Sequence, residues 1–256
     1  MTASAVEIAT GLRIPCGSVW GGTEPVSLDL STAGVAASLY SASSGGRRGG
    51  DIYYLSVCSS GLLTRVAIAD VRGHGEQASE ISGWLYQALY DRMNTLDGAA
   101  VLSDLNEMVH HRGFDAITTA VVMSYHTRTS TLFYSYAGHP PALIRRGRGH
   151  WEPLLLVTDD ARANLPLGVF GGERYEQRTM RMRSGDRFFI YTDGVSEARG
   201  RDEDDLFGAE RLVGALEQAG DRDVAGVRDS VLTRLAEHCL SSPNSDDCTM
   251  IVVQVA

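Results

Sequence analysis

The chain has little of what marks a secreted, membrane-bound or nucleic-acid-binding protein. Its 256 residues include only four cysteines, Cys16, Cys58, Cys239 and Cys248, scattered and without a C-x-x-C pair. That pattern argues against a disulfide framework or a zinc site and for free thiols in a reducing cytoplasm. No apolar run is long enough to span a bilayer, and the first residues lack the basic segment and apolar core of a secretory signal, so neither a membrane nor an export route is expected. Positive charge is also short. Against 32 Asp and Glu stand 23 Lys and Arg, a formal net charge of -9, the wrong sign for a protein held to nucleic-acid phosphates. Local charge at a site can still oppose the global sign, so phosphorylated protein partners are not excluded. H-E-x-x-H, G-x-x-x-x-G-K-[ST] and G-x-S-x-G are all missing. No βαβ unit repeats, which argues against Rossmann and TIM architectures. No internal repeat or low-complexity linker divides the chain.

What is present is an alternation of strand-like and helix-like blocks. Residues 1–25, with Gly21-Gly22 and two prolines, read as a short, loosely ordered lead-in. Residues 27–31, 36–42, 51–57 and 62–70 carry strand patterns. Ala78, Ile81, Trp84, Leu85, Ala88 and Leu89 then recur at helical spacing, and a second helix follows, with Asp97 as N-cap and a stripe of Val101, Leu102, Leu105, Met108 and Val109. Core packing accounts for both stripes. His110 and His111 fall at that helix's end as dipole partners rather than ligands. Strands return at 117–125, 130–138, 141–146, 175–183 and 186–193, with 147–172 irregular. A second helix pair (Leu212, Val213, Leu216; then Val224, Val227, Val231, Leu235, Cys239) precedes a last strand at 248–255. The order of blocks predicts an α+β fold of two packed antiparallel β-sheets flanked by helix pairs, in one domain over 26–256.

The unusual feature is acid at strand ends. Asp51 opens a strand after a Gly-rich turn, Asp70 closes one before VRGHG, Asp193 closes FFIYT, and Asp246 and Asp247 stand before the last strand. A single such acid is most often a turn or cap residue. Four on separate strands suggest convergence on one rim, where carboxylates repel unless cations sit among them. An oxygen-only donor set selects Mg²⁺ or Mn²⁺ over zinc.

The segments GGD (49–51), DVRGHG (70–75), AGHPP (137–141), LPLGV (165–169), YTDGVSEAR (191–199) and DDCT (246–249) occur in an order that resembles the PPM (PP2C-type) metal-dependent serine/threonine phosphatases, in the bacterial branch typified by SpoIIE. The resemblance covers about residues 26–256. It implies a PP2C-like αββα sandwich, two Mn²⁺ or Mg²⁺ ions, and hydrolysis of phosphoserine or phosphothreonine on a signalling protein such as an anti-sigma-factor antagonist. It further implies that Asp70 bridges both ions, that Asp51 and the Val71 carbonyl hold one, and that Asp193 and Asp246 hold the other. Asp247, His74 and Gly194 stand behind the ligands. Gly73 and Gly75 permit a tight turn. His139 is expected to be structural, and Glu197 to be an acid at a helix start. The chain departs from its relatives in carrying Arg48 before GGD and Arg72 after Asp70-Val71, and Tyr54 where relatives have an Asp. Either arginine is a candidate for the substrate phosphate, or a solvated loop charge. An inactive binding module on the same scaffold is the alternative, and a homodimer through the first helix pair stays open.

Overall fold

The computed structural model describes residues 8–44, 48–73, 75–155, 164–202, 204–239 and 246–256. In chain order it contains β1 (Ile8–Arg13), β2 (Val19–Gly22), β3 (Val26–Ser31), β4 (Val35–Ala42), β5 (Asp51–Val57), β6 (Leu63–Val71), α1 (Glu76–Arg92), α2 (Gly98–Arg112), β7 (Thr118–His126), β8 (Thr131–Ala137), β9 (Leu143–Arg145), β10 (Trp151–Pro153), β11 (Arg178–Arg181), β12 (Arg187–Tyr191), the single turn α3 (Asp193–Ser196), α4 (Gly208–Ala219), α5 (Val224–Cys239) and β13 (Cys248–Val255). Among these residues no helix is long and apolar enough to cross a membrane.

The strands form two sheets, β1-β3-β4-β13-β12-β9-β10 and β11-β8-β7-β6-β5-β2. Pairing is antiparallel throughout except for the edge pair β1–β3, which is parallel. Because side chains alternate across a strand, each sheet has two apolar faces to cover. Tyr53, Leu55 and Val57 of β5 and Val66 and Ile68 of β6 meet Leu39, Ile190, Ile251 and Val253 between the sheets. The intervening residues Ile52, Tyr54, Ala67 and Ala69 face the other way, onto Ile81, Leu85, Leu102 and Leu105 of α1 and α2. Likewise Phe189, Tyr191, Met250 and Val252 pack under Leu212, Leu216, Val227 and Val231 of α4 and α5. At about 1.5–3 kcal/mol for each fully buried large apolar side chain, these three layers dominate the stabilisation. Tyr54, where relatives have an acid, is therefore a core residue under α1.

Both helix stripes read from the sequence are buried, and Asp97 caps α2 by accepting from the Ala100 N–H at 3.0 Å. His110 and His111 lie in its last turn. Three readings differ. Residues 8–13 and 19–22 are not a loose lead-in but edge strands, one on each sheet; backbone pairing holds them, and their apolar pattern is too sparse to announce it. β10 lies inside the stretch read as irregular, because only three residues pair. β12 stops at Tyr191, and Asp193 begins α3 instead of ending a strand.

Candidate active site

The inner faces of the sheets change character at one end of the sandwich. Continuing the two-residue period inward-facing position by position, Leu39 gives way to Ser41, Ile190 to Thr192, Ile251 to Thr249 and Val121 to Thr119. These hydroxyls form a polar layer over the core. Ser41 and Thr249 hydrogen-bond through their side chains at 2.9 Å, and Thr192 Oγ1 accepts from the Thr249 N–H at 3.0 Å while donating to Asp51 Oδ2 at 2.9 Å.

Carboxylates lie on top of that layer. Asp51 and Asp70 are direct cross-strand partners of β5 and β6, which puts their Cβ atoms about 4.5–5.5 Å apart on one face. Asp70, Asp193 and Asp246 line a cleft with a cavity volume of about 230 Å³, together with Arg72, Gly73, Thr119 and Pro166. Asp51 is buried behind them, 2 % exposed, and its Oδ1 has no hydrogen-bond partner. Burial, with the charges of Asp247 and Asp193, pushes the Asp51 carboxyl up to about 8. Burial and the charges of Asp51, Asp193 and Asp246 raise Asp70 well above the carboxylate range. Burial and nearby Glu197 raise Asp193, and the side chains of Asp70 and Asp193 hydrogen-bond to each other. Groups of one sign are thus crowded where water cannot screen them.

The donor set is all oxygen, as a hard divalent cation requires, and the orphaned Oδ1 of Asp51 is a buried lone-pair site with nothing to satisfy it. Among the described residues no three His, Cys, Asp or Glu side chains are arranged so that they could hold an ion as they stand.

The loops carrying the acids are locked by Asp247. Its Oδ2 accepts from the Gly50 N–H at 2.5 Å and its Oδ1 from the Ser44 N–H at 2.7 Å and the Ser44 hydroxyl at 3.1 Å. One buried carboxylate thereby ties the start of β5 to the end of β4 and the approach to β13. A Cβ at Gly49 would sit 2.4 Å from this carboxylate, one at Gly194 1.9 Å from the Asp247 carbonyl, and one at Gly50 2.9 Å from the Val71 carbonyl. These glycines are needed for close approach, not for unusual backbone angles.

On the opposite wall, Gly138 takes a φ of 64° and donates to the Asn164 carbonyl at 2.7 Å. Asn106, fully buried in α2, accepts from the Gly168 N–H at 2.9 Å and donates to the Phe170 carbonyl at 2.8 Å, holding the loop that presents Pro166. His139 is buried, its Nδ1 3.0 Å from Thr119 Oγ1, and burial pushes its imidazole down to about 3. It is a neutral supporting group, as expected.

The two arginines part company. Arg72 stacks its guanidinium 4.2 Å from the centroid of the exposed Phe114 ring at the cleft mouth, while its backbone N–H is held by the Ile117 carbonyl at 2.9 Å. Arg48 points elsewhere, into an exposed ion pair with Glu24 at 3.0 Å, and is not among the residues lining the cleft. Glu197 follows the end of α3 rather than starting a helix, since the helix begins four residues earlier. His74 lies outside the described residues. Sequence reasoning passed over Ser41, Thr192, Thr249 and Asn106. The signal for the hydroxyls was there: each continues the inward period of an apolar strand by one more step.

The model of the stage II sporulation protein E (SpoIIE) family matches residues 61–256. The chain belongs to the SpoIIE family. The matched region starts after Asp51, so that carboxylate is placed by the β5–β6 register and not by the family pattern. Over 197 residues, 74 % of this chain, it is 27 % identical to the phosphoserine phosphatase RsbP of Bacillus subtilis, and spans 45 % of that protein's length. Its fold matches the PP2C phosphatase domain of SpoIIE from Bacillus subtilis, with a TM-score of 0.70 at 18 % identity, covering 87 % of this chain and 64 % of that one. It also matches RsbX, solved in complex with magnesium, with a TM-score of 0.66 at 16 % identity, covering 90 % and 100 %. The two-sheet, helix-flanked sandwich is thus the SpoIIE-type PP2C fold.

Proposed function

We propose that this SpoIIE-family chain hydrolyses phosphoserine or phosphothreonine on a partner protein, with Asp51, Asp70, Asp193 and Asp246 and the Val71 carbonyl as oxygen donors to divalent cations. The observation that carries this reading is the meeting of acids from three separate segments at one cleft, with Asp51 buried behind them and its Oδ1 unpartnered. Two Mg²⁺ or Mn²⁺ ions bound there would supply a hydroxide nucleophile near neutral pH and neutralise charge on the phosphoryl oxygens.

The remaining work falls to the chain itself. The side chains of Asp70 and Asp193 hydrogen-bond to each other, and burial with neighbouring carboxylates raises both, so a bound cation would favour their charged, ligating form. Thr192 keeps Asp51 turned so that Oδ1 faces the cleft. Asp247 and Gly194 keep the ligand-bearing loops in register. Arg72, over the Phe114 ring and without a carboxylate partner among the described residues, is set to take two phosphoryl oxygens in a bidentate grip. The phosphoserine phosphatase name of RsbP supports the substrate class, and the SpoIIE-branch resemblance favours a phosphorylated anti-sigma-factor antagonist as the partner. The scattered placement of the four cysteines, with no C-x-x-C pair, favours a reducing, cytoplasmic setting.

A non-catalytic binding module is the second reading, favoured by the open arrangement of the acids. Hydrolysis of p-nitrophenyl phosphate separates the two. We expect turnover that requires Mn²⁺ or Mg²⁺ and is lost on chelation. Asp70→Asn and Asp193→Asn, each with a wild-type far-UV circular dichroism spectrum, should lose at least about 100-fold in kcat, because transition-state charge stabilisation by the ions goes with the ligand. Full activity in either variant overturns the ligand assignment, and no turnover at any metal concentration favours the binding module.

A further inference from the structure

The end of the sandwich away from the acids carries the opposite charge. Here the β9–β10 turn, the β11–β12 turn and the β7–β8 turn come together. Arg146, Gly147, Arg181, Arg183, Ser184 and Asp186 line a pocket with a cavity volume of about 520 Å³. In a chain with a net charge of -9, three arginines facing one hollow are not a sample of the average surface.

Asp186, buried at 2 % exposure, organises the hollow. Its Oδ1 accepts from the Gly147 N–H at 2.9 Å, and its Oδ2 accepts from the Arg183 N–H at 2.8 Å and from Arg146 Nη1 at 3.3 Å. One carboxylate thus pins two turns from neighbouring strands and neutralises one arginine. Arg146 also donates to the Arg181 carbonyl at 2.6 Å, and Arg181 donates to the Thr129 carbonyl. Those carbonyls orient the guanidinium groups but carry no charge. Arg183 has no side-chain partner among the described residues. With three cations and one anion lining it, the hollow keeps a surplus positive charge of two.

We propose that this hollow is a binding site for a small di- or triphosphate anion. A cavity of this size falls within the range of small-ligand sites. Three of its six lining residues are arginines, which favours an anionic group over a purely apolar ligand or the anchor side chain of a docking helix. Guanidinium groups pair bidentately with phosphoryl oxygens, and the Ser184 hydroxyl adds a donor. The site does not depend on the phosphatase reading, because it lies at the far ends of β9, β11 and β12 from the acids.

The test is calorimetric titration of the full chain with inorganic diphosphate in excess EDTA. Metal-free conditions leave the acidic cleft repelling anions, and a loss of binding in Arg183→Ala assigns the site to this hollow rather than to Arg72 in the acidic cleft. We expect one saturable site per chain, at least tenfold weaker in Arg183→Ala and weakened by added NaCl. Arg183 is solvent-exposed and its side chain has no hydrogen bond or ion pair among the described residues, and matching melting temperatures would verify that the variant is folded. Absence of saturable binding, or equal affinity in Arg183→Ala, overturns the proposal. Tighter binding by an octaglutamate peptide than by inorganic triphosphate also overturns it, in favour of an acidic protein segment.

Discussion

The two ends of the sandwich solve the same problem in opposite ways. At one end the strands run out into acids, and at the other into arginines. The difference lies in burial. The acids press together: Asp51 is fully enclosed, its neighbours raise one another's proton affinity, and one oxygen is left unsatisfied. The arginines stay partly in water, Arg146 held by Asp186 and a carbonyl, Arg181 by a carbonyl and Arg183 by no side-chain partner among the described residues, with Arg146 45 % exposed. Charge at the arginine end is cheap to keep and is available for a mobile anion. Charge at the acid end is costly to keep and becomes tolerable only with protons or cations bound. A cluster that destabilises the bare protein is poised to bind ions, and that coupling is what its position between the sheets creates.

Glycine replacements give the largest contrast between the ends. Gly194→Ala would drive a methyl to 1.9 Å from the Asp247 carbonyl, so we expect a loss of at least about 3 kcal/mol in urea unfolding, or no soluble protein, because a rigid backbone atom cannot step aside. A wild-type midpoint would mean that the turn between β12 and α3 repacks freely.

Next in size is pH dependence. The Asp51 carboxyl sits near 8 in the folded chain and near 3.8 when unfolded, so protonation favours the fold. In the metal-free protein the stabilising contribution of Asp51 protonation should therefore be complete below about pH 4 and be lost as pH rises towards 8. Melting in EDTA across this range would reveal the slope. Asp51→Asn should flatten it and raise the metal-free melting temperature at pH 7.5, while abolishing the rise that Mn²⁺ produces in wild type. An unchanged slope in Asp51→Asn would break the account of the acid end.

The smallest effect belongs to the arginine end. Gly185→Ala meets no atom within 4 Å but keeps a φ of +85°, so the expected cost is only about 1 kcal/mol of backbone strain. A cost equal to that of Gly194→Ala would erase the distinction between a steric and a conformational glycine.

Much of this was legible in the residues. Helical spacing announced α1, α2, α4 and α5, and the short strand patterns announced both sheets, because core packing enforces those periods. Asp70 and Asp193 could be singled out as acids where apolar runs end. The edge strands β1 and β2 were illegible, since backbone pairing with a neighbour needs no side-chain pattern. Arg48 and Arg72 looked equivalent as cations in Gly-rich turns. Glu24, 24 positions earlier, claims one, and Phe114, 42 positions later, aligns the other.

The local order of residues determined which segments bury which face, and therefore that the chain builds two sheets with helices outside. It also determined that acids occur where strands stop, since period and composition are properties of neighbours in the chain. Only the tertiary structure decided that Asp51 and Asp70 stand in register, that Asp247 locks three loops, and that the arginines of two turns share one hollow. Those facts depend on how β5, β6, β12 and β13 align in space, and strand register and sheet packing are set by the whole core at once.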